Sequence, residues 1–110
     1  MPTSPQLLIF DVNETLLDTK AVTTAINKEI GNDEAADKWF QSLLHYSLVE
    51  TVTGDFADFS KIADACLEMT ANNYGKDLSP KTRETILSKF KKLSPHTDVS
   101  EGLQRLKNAG

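Results

Sequence analysis

Cysteine is almost missing from this 110-residue sequence. The single Cys66 can close no internal disulfide and can build no cysteine-based zinc site, so a secreted disulfide scaffold and a zinc ribbon are excluded. A reducing, cytoplasmic setting is expected. Glycine and proline are scarce, at 5 and 4, which removes collagenous and low-complexity classes. No apolar run approaches the roughly 18 residues that cross a bilayer, and no basic region precedes the short apolar stretch near the N-terminus. Neither a membrane partner nor export is expected. Positive charge is also short: 12 Lys and Arg against 16 Asp and Glu give a net charge of −4 and a pI of about 5.1. Phosphate backbones and anionic lipids select the opposite balance, so no nucleic-acid partner is expected. What is present, 39% hydrophobic and 25% charged residues, describes an ordinary globular chain of a size that buries one core.

Residues 6–10 read QLLIF, an apolar run between Pro5 and Asp11 that suits a strand buried on both faces. Everything beyond Asp18 has helical periodicity. Val22, Ile26 and Ile30 make one stripe over residues 19–30, which Gly31 stops. A second helix starts near Asp33, with Asp33 as cap and Phe40, Leu43, Leu44 and Leu48 as its core face, and Gly54 breaks it. Asp55 and Asp58 open a third helix, on which Phe56, Phe59, Ile62, Ala63, Cys66 and Leu67 face inward. Ser79-Pro80 caps a fourth, with Ile86, Leu87, Phe90 and Leu93 in register up to Ser94-Pro95. Asp98 and Glu101 stand in capping-box positions ahead of a fifth helix carrying Val99, Leu103 and Leu106.

The segment LSPHT at residues 93–97 reads as a connector between two structural units, with residues 18–20 as the matching outward passage. A lone strand would leave its backbone groups without partners. Either a second copy supplies strands, giving a homodimer, or this is the N-terminal portion of a longer protein, and a chain stopping at Gly110 looks cut.

Asp11 falls at the carboxyl end of the expected strand, where open α/β sheets bind ligands. A carboxylate there, beside turn amides and the Thr15 hydroxyl, is arranged for nucleophilic attack through an ester intermediate. An aspartate that merely caps the turn fits the same pattern.

The string FDVNETLLD at residues 10–18 resembles the first motif of the haloacid dehalogenase superfamily of hydrolases, on its 2-haloacid dehalogenase branch. The resemblance implies an α/β fold, a Rossmann-like core with an inserted helical cap. Residues 1–18 and 94–110 would be pieces of the core and residues 19–93 the cap. It implies Asp11 as the nucleophile, Thr15 as the residue that holds it, and Val12, Asn13, Trp39 and Tyr46 as contacts to a small-molecule substrate. No cofactor is implied for dehalogenase chemistry. The phosphatase branch would add magnesium, held here by the Asp11 carboxylate and the Asn13 backbone carbonyl.

Several positions depart from the family pattern. Phosphatases of the superfamily place a second aspartate where this chain has Asn13, and an amide cannot transfer the leaving group's proton, whereas halide needs none. Glu14 replaces the usual glycine and is read as solvated. The cap arginine that receives halide has no counterpart: no arginine precedes Arg83, and Trp39-Phe40-Gln41 with Lys38 occupy the region. The later motifs of the family are absent, so the 110 residues alone are expected to be inactive. A non-catalytic helical module that binds a partner is the rival reading.

The remaining side chains read as structural. His45 and His96 are surface residues, Cys66 is core, Phe40 and Phe56 pack their helices, and Lys89-Phe90-Lys91-Lys92 is a solvated face with Phe90 inward. Trp39 and Tyr46 divide evenly between packing and lining a substrate surface.

Overall fold

The computed structural model describes residues 3–110. Five α-helices form among them: α1 (Lys20–Ile30), α2 (Ala35–Thr53), α3 (Phe59–Asn73), α4 (Pro80–Ser88), which tightens into a 3-10 turn at Lys89–Lys92, and α5 (Val99–Asn108). The chain divides into two compact units, Lys20–Lys92 and a second formed by the segment ending at Thr19 together with Leu93–Gly110.

In the helical unit, the stripe Val22, Ile26 and Ile30 of α1 is fully buried, as its spacing predicts. The rest of the core is Ala35, Ala36, Trp39 and Leu43 of α2, Ala63, Cys66, Leu67 and Ala71 of α3, and Ile86 of α4. The turn between α1 and α2 is tied by one side chain: Asn27 donates to the Asp33 carbonyl at 3.0 Å and accepts from the Ala36 amide at 2.8 Å. The Trp39 indole N–H donates to the Ala63 carbonyl at 3.0 Å, joining α2 to α3, and its ring lies 5.6 Å from that of Phe90. Arg83 of α4 is buried as well. It donates to Asp64 and to the Leu78 carbonyl, each at 2.8 Å.

Ser79 caps α4 through the Thr82 amide at 3.1 Å, with Pro80 at the first helical position. Other caps differ from expectation. Glu34, not Asp33, is the cap of α2 and makes no side-chain cap bond, while its amide donates to the Asn32 side chain at 2.8 Å. Asp58, not Asp55, caps α3 through the Ser60 amide at 3.3 Å. Phe56 therefore lies outside the helix and is fully exposed, not packed. Asp98 precedes α5 in a helical conformation that leaves its side chain no cap bond. On α2 the core face runs through Trp39 and Leu43, while Leu44 and Leu48 are more than half exposed, since a helix can turn only one stripe toward a single neighbouring layer.

The expected strand does not form. Residues 6–10 have no ladder among the described residues, and Leu7 and Ile9 are 75% and 88% exposed. The reason is the one the sequence raised: no strand lies among the described residues to take their backbone bonds. Among the described residues of this unit, pairing is confined to isolated bridges, Asn13 with Leu17 and Leu17 with Pro95. The Asp18 amide donates to the Ser94 carbonyl at 2.8 Å and the His96 amide to the Leu16 carbonyl at 3.0 Å, so the two connectors run as a short antiparallel pair.

Candidate active site

The loop that follows residue 11 closes on itself through three backbone bonds. The Leu16 and Leu17 amides both donate to the Val12 carbonyl, at 2.9 and 3.0 Å, and the Glu14 amide donates to the Leu17 carbonyl at 3.0 Å. This fold-back brings Thr15 beside Asp11, and the Thr15 hydroxyl donates to Asp11 Oδ2 at 2.9 Å. Asp11 Oδ1 has no hydrogen-bond partner among the described residues, and the side chain is exposed. The arrangement therefore holds one carboxylate oxygen with a hydroxyl donor and leaves the other open to an electrophile. Val12 is half exposed and Asn13 partly so, on the same loop. Thr15 and Leu16 also line an apolar groove of about 600 Å³ with Phe10, Val99, Leu103 and Leu106.

Glu14 is exposed, as expected, yet its side chain does not simply point into solvent. It is the one non-glycine residue at positive φ among those described, at +65°, and its carboxylate accepts from both the amide and the hydroxyl of Thr19. Those bonds hold its carboxyl below the usual carboxylate range, with a smaller contribution from His96 and opposition from burial and Asp18. His96 lies with Nε2 2.8 Å from the Glu14 carbonyl. A carbonyl can only accept, so this contact places a proton on Nε2. Neither the Glu14 nor the His96 contact was legible in the sequence. A glutamate at a turn carries no sign of which amide it will reach, and the two residues are 82 positions apart.

Trp39 and Tyr46 belong to the helical unit. Trp39 is only 1% exposed and its single donor is used by Ala63, so within this unit it is a packing residue with no group left for a ligand. Tyr46 is partly exposed, meets the His45 ring edge-on at 5.2 Å, and lines a cavity of about 270 Å³ with Glu50, Lys61 and Met69. Cys66 is buried among apolar neighbours, which pushes its thiol up and makes it a poor nucleophile.

No three His, Cys, Asp or Glu side chains converge as a metal site among the described residues. No helix of the described residues is long and apolar enough to cross a membrane.

No family model matches the chain. It is similar to (S)-2-haloacid dehalogenase 4A of Burkholderia cepacia, 30% identical over 112 residues that span all of this chain and 48% of that protein. It is 28% identical to an (S)-2-haloacid dehalogenase of Pseudomonas putida, over 96% of this chain and 47% of the relative. The fold superposes on a solved L-2-haloacid dehalogenase from Xanthobacter autotrophicus with chloropropionic acid covalently bound, with a TM-score of 0.76, 22% identity, and coverage of 87% of this chain and 40% of that one. The chain thus spans about half the length of the curated relatives it matches.

Proposed function

We propose that this haloacid dehalogenase-like chain, of the 2-haloacid dehalogenase branch, supplies the nucleophile of a hydrolase that removes halide from a small 2-haloacid. The observation that carries the reading is the Asp11 carboxylate, held at Oδ2 by Thr15 and open at Oδ1. In this reading residues 1–18 and 94–110 belong to the catalytic core and residues 19–93 to a helical cap.

The chemistry follows from the groups at hand. Asp11 Oδ1 attacks the carbon bearing the halogen, a carbon–oxygen bond forms, and the carbon–halogen pair leaves as halide. Water then opens the ester, giving a 2-hydroxy acid and a proton and restoring the carboxylate. Thr15 steadies the carboxylate without removing its charge. Halide leaves without a proton, so Asn13 is no obstacle here, whereas a phosphomonoester's alkoxide would need an acid at that position. No electron or group carrier is required by either step. Val12 and Asn13 are assigned to the substrate's surroundings; Trp39 is left out because its indole is buried and bonded. A cytoplasmic setting accords with the lone cysteine.

The test is chloride release from 2-chloropropionate by the protein at its native length, with Asp11→Asn beside it. Chloride release that Asp11→Asn abolishes supports the reading. Release indifferent to Asp11→Asn removes the nucleophile assignment, and Asp11-dependent phosphate release from p-nitrophenyl phosphate in place of dehalogenation moves the protein to the phosphatase branch. The 110 residues by themselves are expected to release neither ion.

A further inference from the structure

The loop from Asp11 to Thr19 contains a conformational oddity that the proposed chemistry does not use. Residue 14 adopts φ +65°, a backbone region where glycine is the default and an L side chain is strained. The sequence nonetheless places there a glutamate, and all three of its hydrogen-bonding groups are engaged. Its amide donates to the Leu17 carbonyl at 3.0 Å, inside the loop. Its carbonyl meets His96 Nε2 at 2.8 Å, on the second connector. Its carboxylate accepts from the Thr19 amide at 2.9 Å and from the Thr19 hydroxyl, at the end of the loop.

The next residue is Thr15, whose hydroxyl reaches Asp11. With the backbone of residue 14 pinned on both sides of its α-carbon, the direction in which Thr15 leaves the loop is fixed, and with it the donor on the reactive carboxylate. Strain at a site of this kind persists only where surrounding bonds over-determine it, and here three separate partners do so. We infer that Glu14 is a positioning residue: clamped by Thr19 through its carboxylate and by His96 through its carbonyl, it holds the turn that aims the Thr15 hydroxyl at Asp11.

Side-chain length decides which substitutes can serve. Glutamine keeps both the reach and one oxygen acceptor for the Thr19 amide but loses the charge. Alanine keeps the strain and loses the clamp. Glycine loses the clamp and relieves the strain, so it separates the two readings of this residue: if Glu14 is only a tolerated replacement for glycine, Glu14→Gly should be as good as the native chain or better.

The closing experiment is site-resolved amide hydrogen exchange on Glu14→Gln, Glu14→Ala, Glu14→Gly and the native chain. Exchange at Thr19 and Leu16 is expected to accelerate by about tenfold or more in the alanine and glycine variants and by less in glutamine, while the Trp39 and Leu67 amides of the helical unit stay unchanged. Glu14→Gly exchanging no faster than the native chain at Thr19 and Leu16 overturns the proposal, as does an equal acceleration across α1 to α4. A kinetic arm rests on Asp11 being the nucleophile. In the protein at native length, kcat falls by about tenfold in Glu14→Ala and Glu14→Gly with KM little changed, and Glu14→Gln recovers most of it. If exchange responds as expected while turnover ignores Asp11→Asn, the clamp stands and the nucleophile assignment falls.

Discussion

Thr15 donates its hydroxyl to Asp11 Oδ2 at 2.9 Å, across a loop in which Val12 receives the amides of both Leu16 and Leu17. The contact gives the Asp11 carboxylate one fixed donor and so sets its orientation.

Removing the two partners of this contact should have unequal consequences. On the proposed mechanism Asp11→Asn eliminates the attacking oxygen and is expected to lower chloride release at least about a thousandfold. Thr15→Val keeps the shape and removes only the donor, and a charge-assisted bond of about 1.5–3 kcal/mol translates to a loss of about tenfold to a hundredfold. Initial rates of halide release from 2-chloropropionate by the protein at its native length, with circular dichroism to confirm folding, measure both. An equal loss in the two variants would contradict the division of roles.

Trp39 tests the core of the helical unit. It is 1% exposed and spans α2 to the Ala63 carbonyl on α3. Trp39→Ala is expected to destabilise the chain by about 3–5 kcal/mol through cavity formation. Trp39→Phe retains most of the ring and removes only the indole bond to the Ala63 carbonyl, which keeps its helical bond within α3, so the loss should be about 0.5–1.5 kcal/mol. Denaturant midpoints followed by far-ultraviolet circular dichroism give both values.

Arg83 and Asp64 form an asymmetric pair, with side-chain exposures of 9% and 44%. Asp64 raises the already high affinity of the guanidinium for its proton, mainly through the hydrogen bond between them. Arg83→Ala empties a buried position and deprives the Leu78 carbonyl of its donor, so a loss of about 2–3 kcal/mol is expected. Asp64→Ala removes a partly solvated acid, and water can replace it, so the loss should be about 1 kcal/mol. The ratio of the two, read from urea unfolding, is the test.

Cys66 gives the chain an alkaline limit. Burial raises its thiol above the ordinary value, so in the folded chain the proton is held longer than in the unfolded one. The stabilisation is complete below the unfolded pKa, about 8.5, and is lost as pH rises from there toward the folded value. Cys66→Ala should flatten the fall in melting temperature between pH 8 and 10, about the range in which thiols titrate. Native Cys66 should also react with an aromatic disulfide reagent only at the rate of unfolding, and full reaction within seconds would contradict its burial.

Helix positions were legible because they depend on local information. The period of Val22, Ile26 and Ile30, the Ser79-Pro80 start and the stops at Gly31 and Gly54, which sit at φ +77° and +78°, belong to stretches that specify their own backbone. Where two candidates competed, proximity in sequence could not choose. Asp55 and Asp58 are both sound caps, and only the packing of Ala63, Cys66 and Leu67 selects the turn beginning after Asp58, which leaves Phe56 outside. Leu44 and Leu48 read as core because they are large and apolar, yet Trp39 and Leu43 take the single face that α3 covers.

The sequence alone determined the helical order, the loop chemistry of FDVNETLLD and the presence of a carboxylate with a hydroxyl four residues on, since these rest on neighbours within a turn or two. Only the tertiary structure decided that residues 6–10 stay unpaired, that Trp39 is spent on Ala63, that Arg83 is buried against Asp64, and that Glu14 and His96 meet. The physical reason is common to all four. Each outcome depends on whether a backbone or side-chain partner from elsewhere in the chain arrives within about 3 Å, a matter of closure that no local pattern encodes.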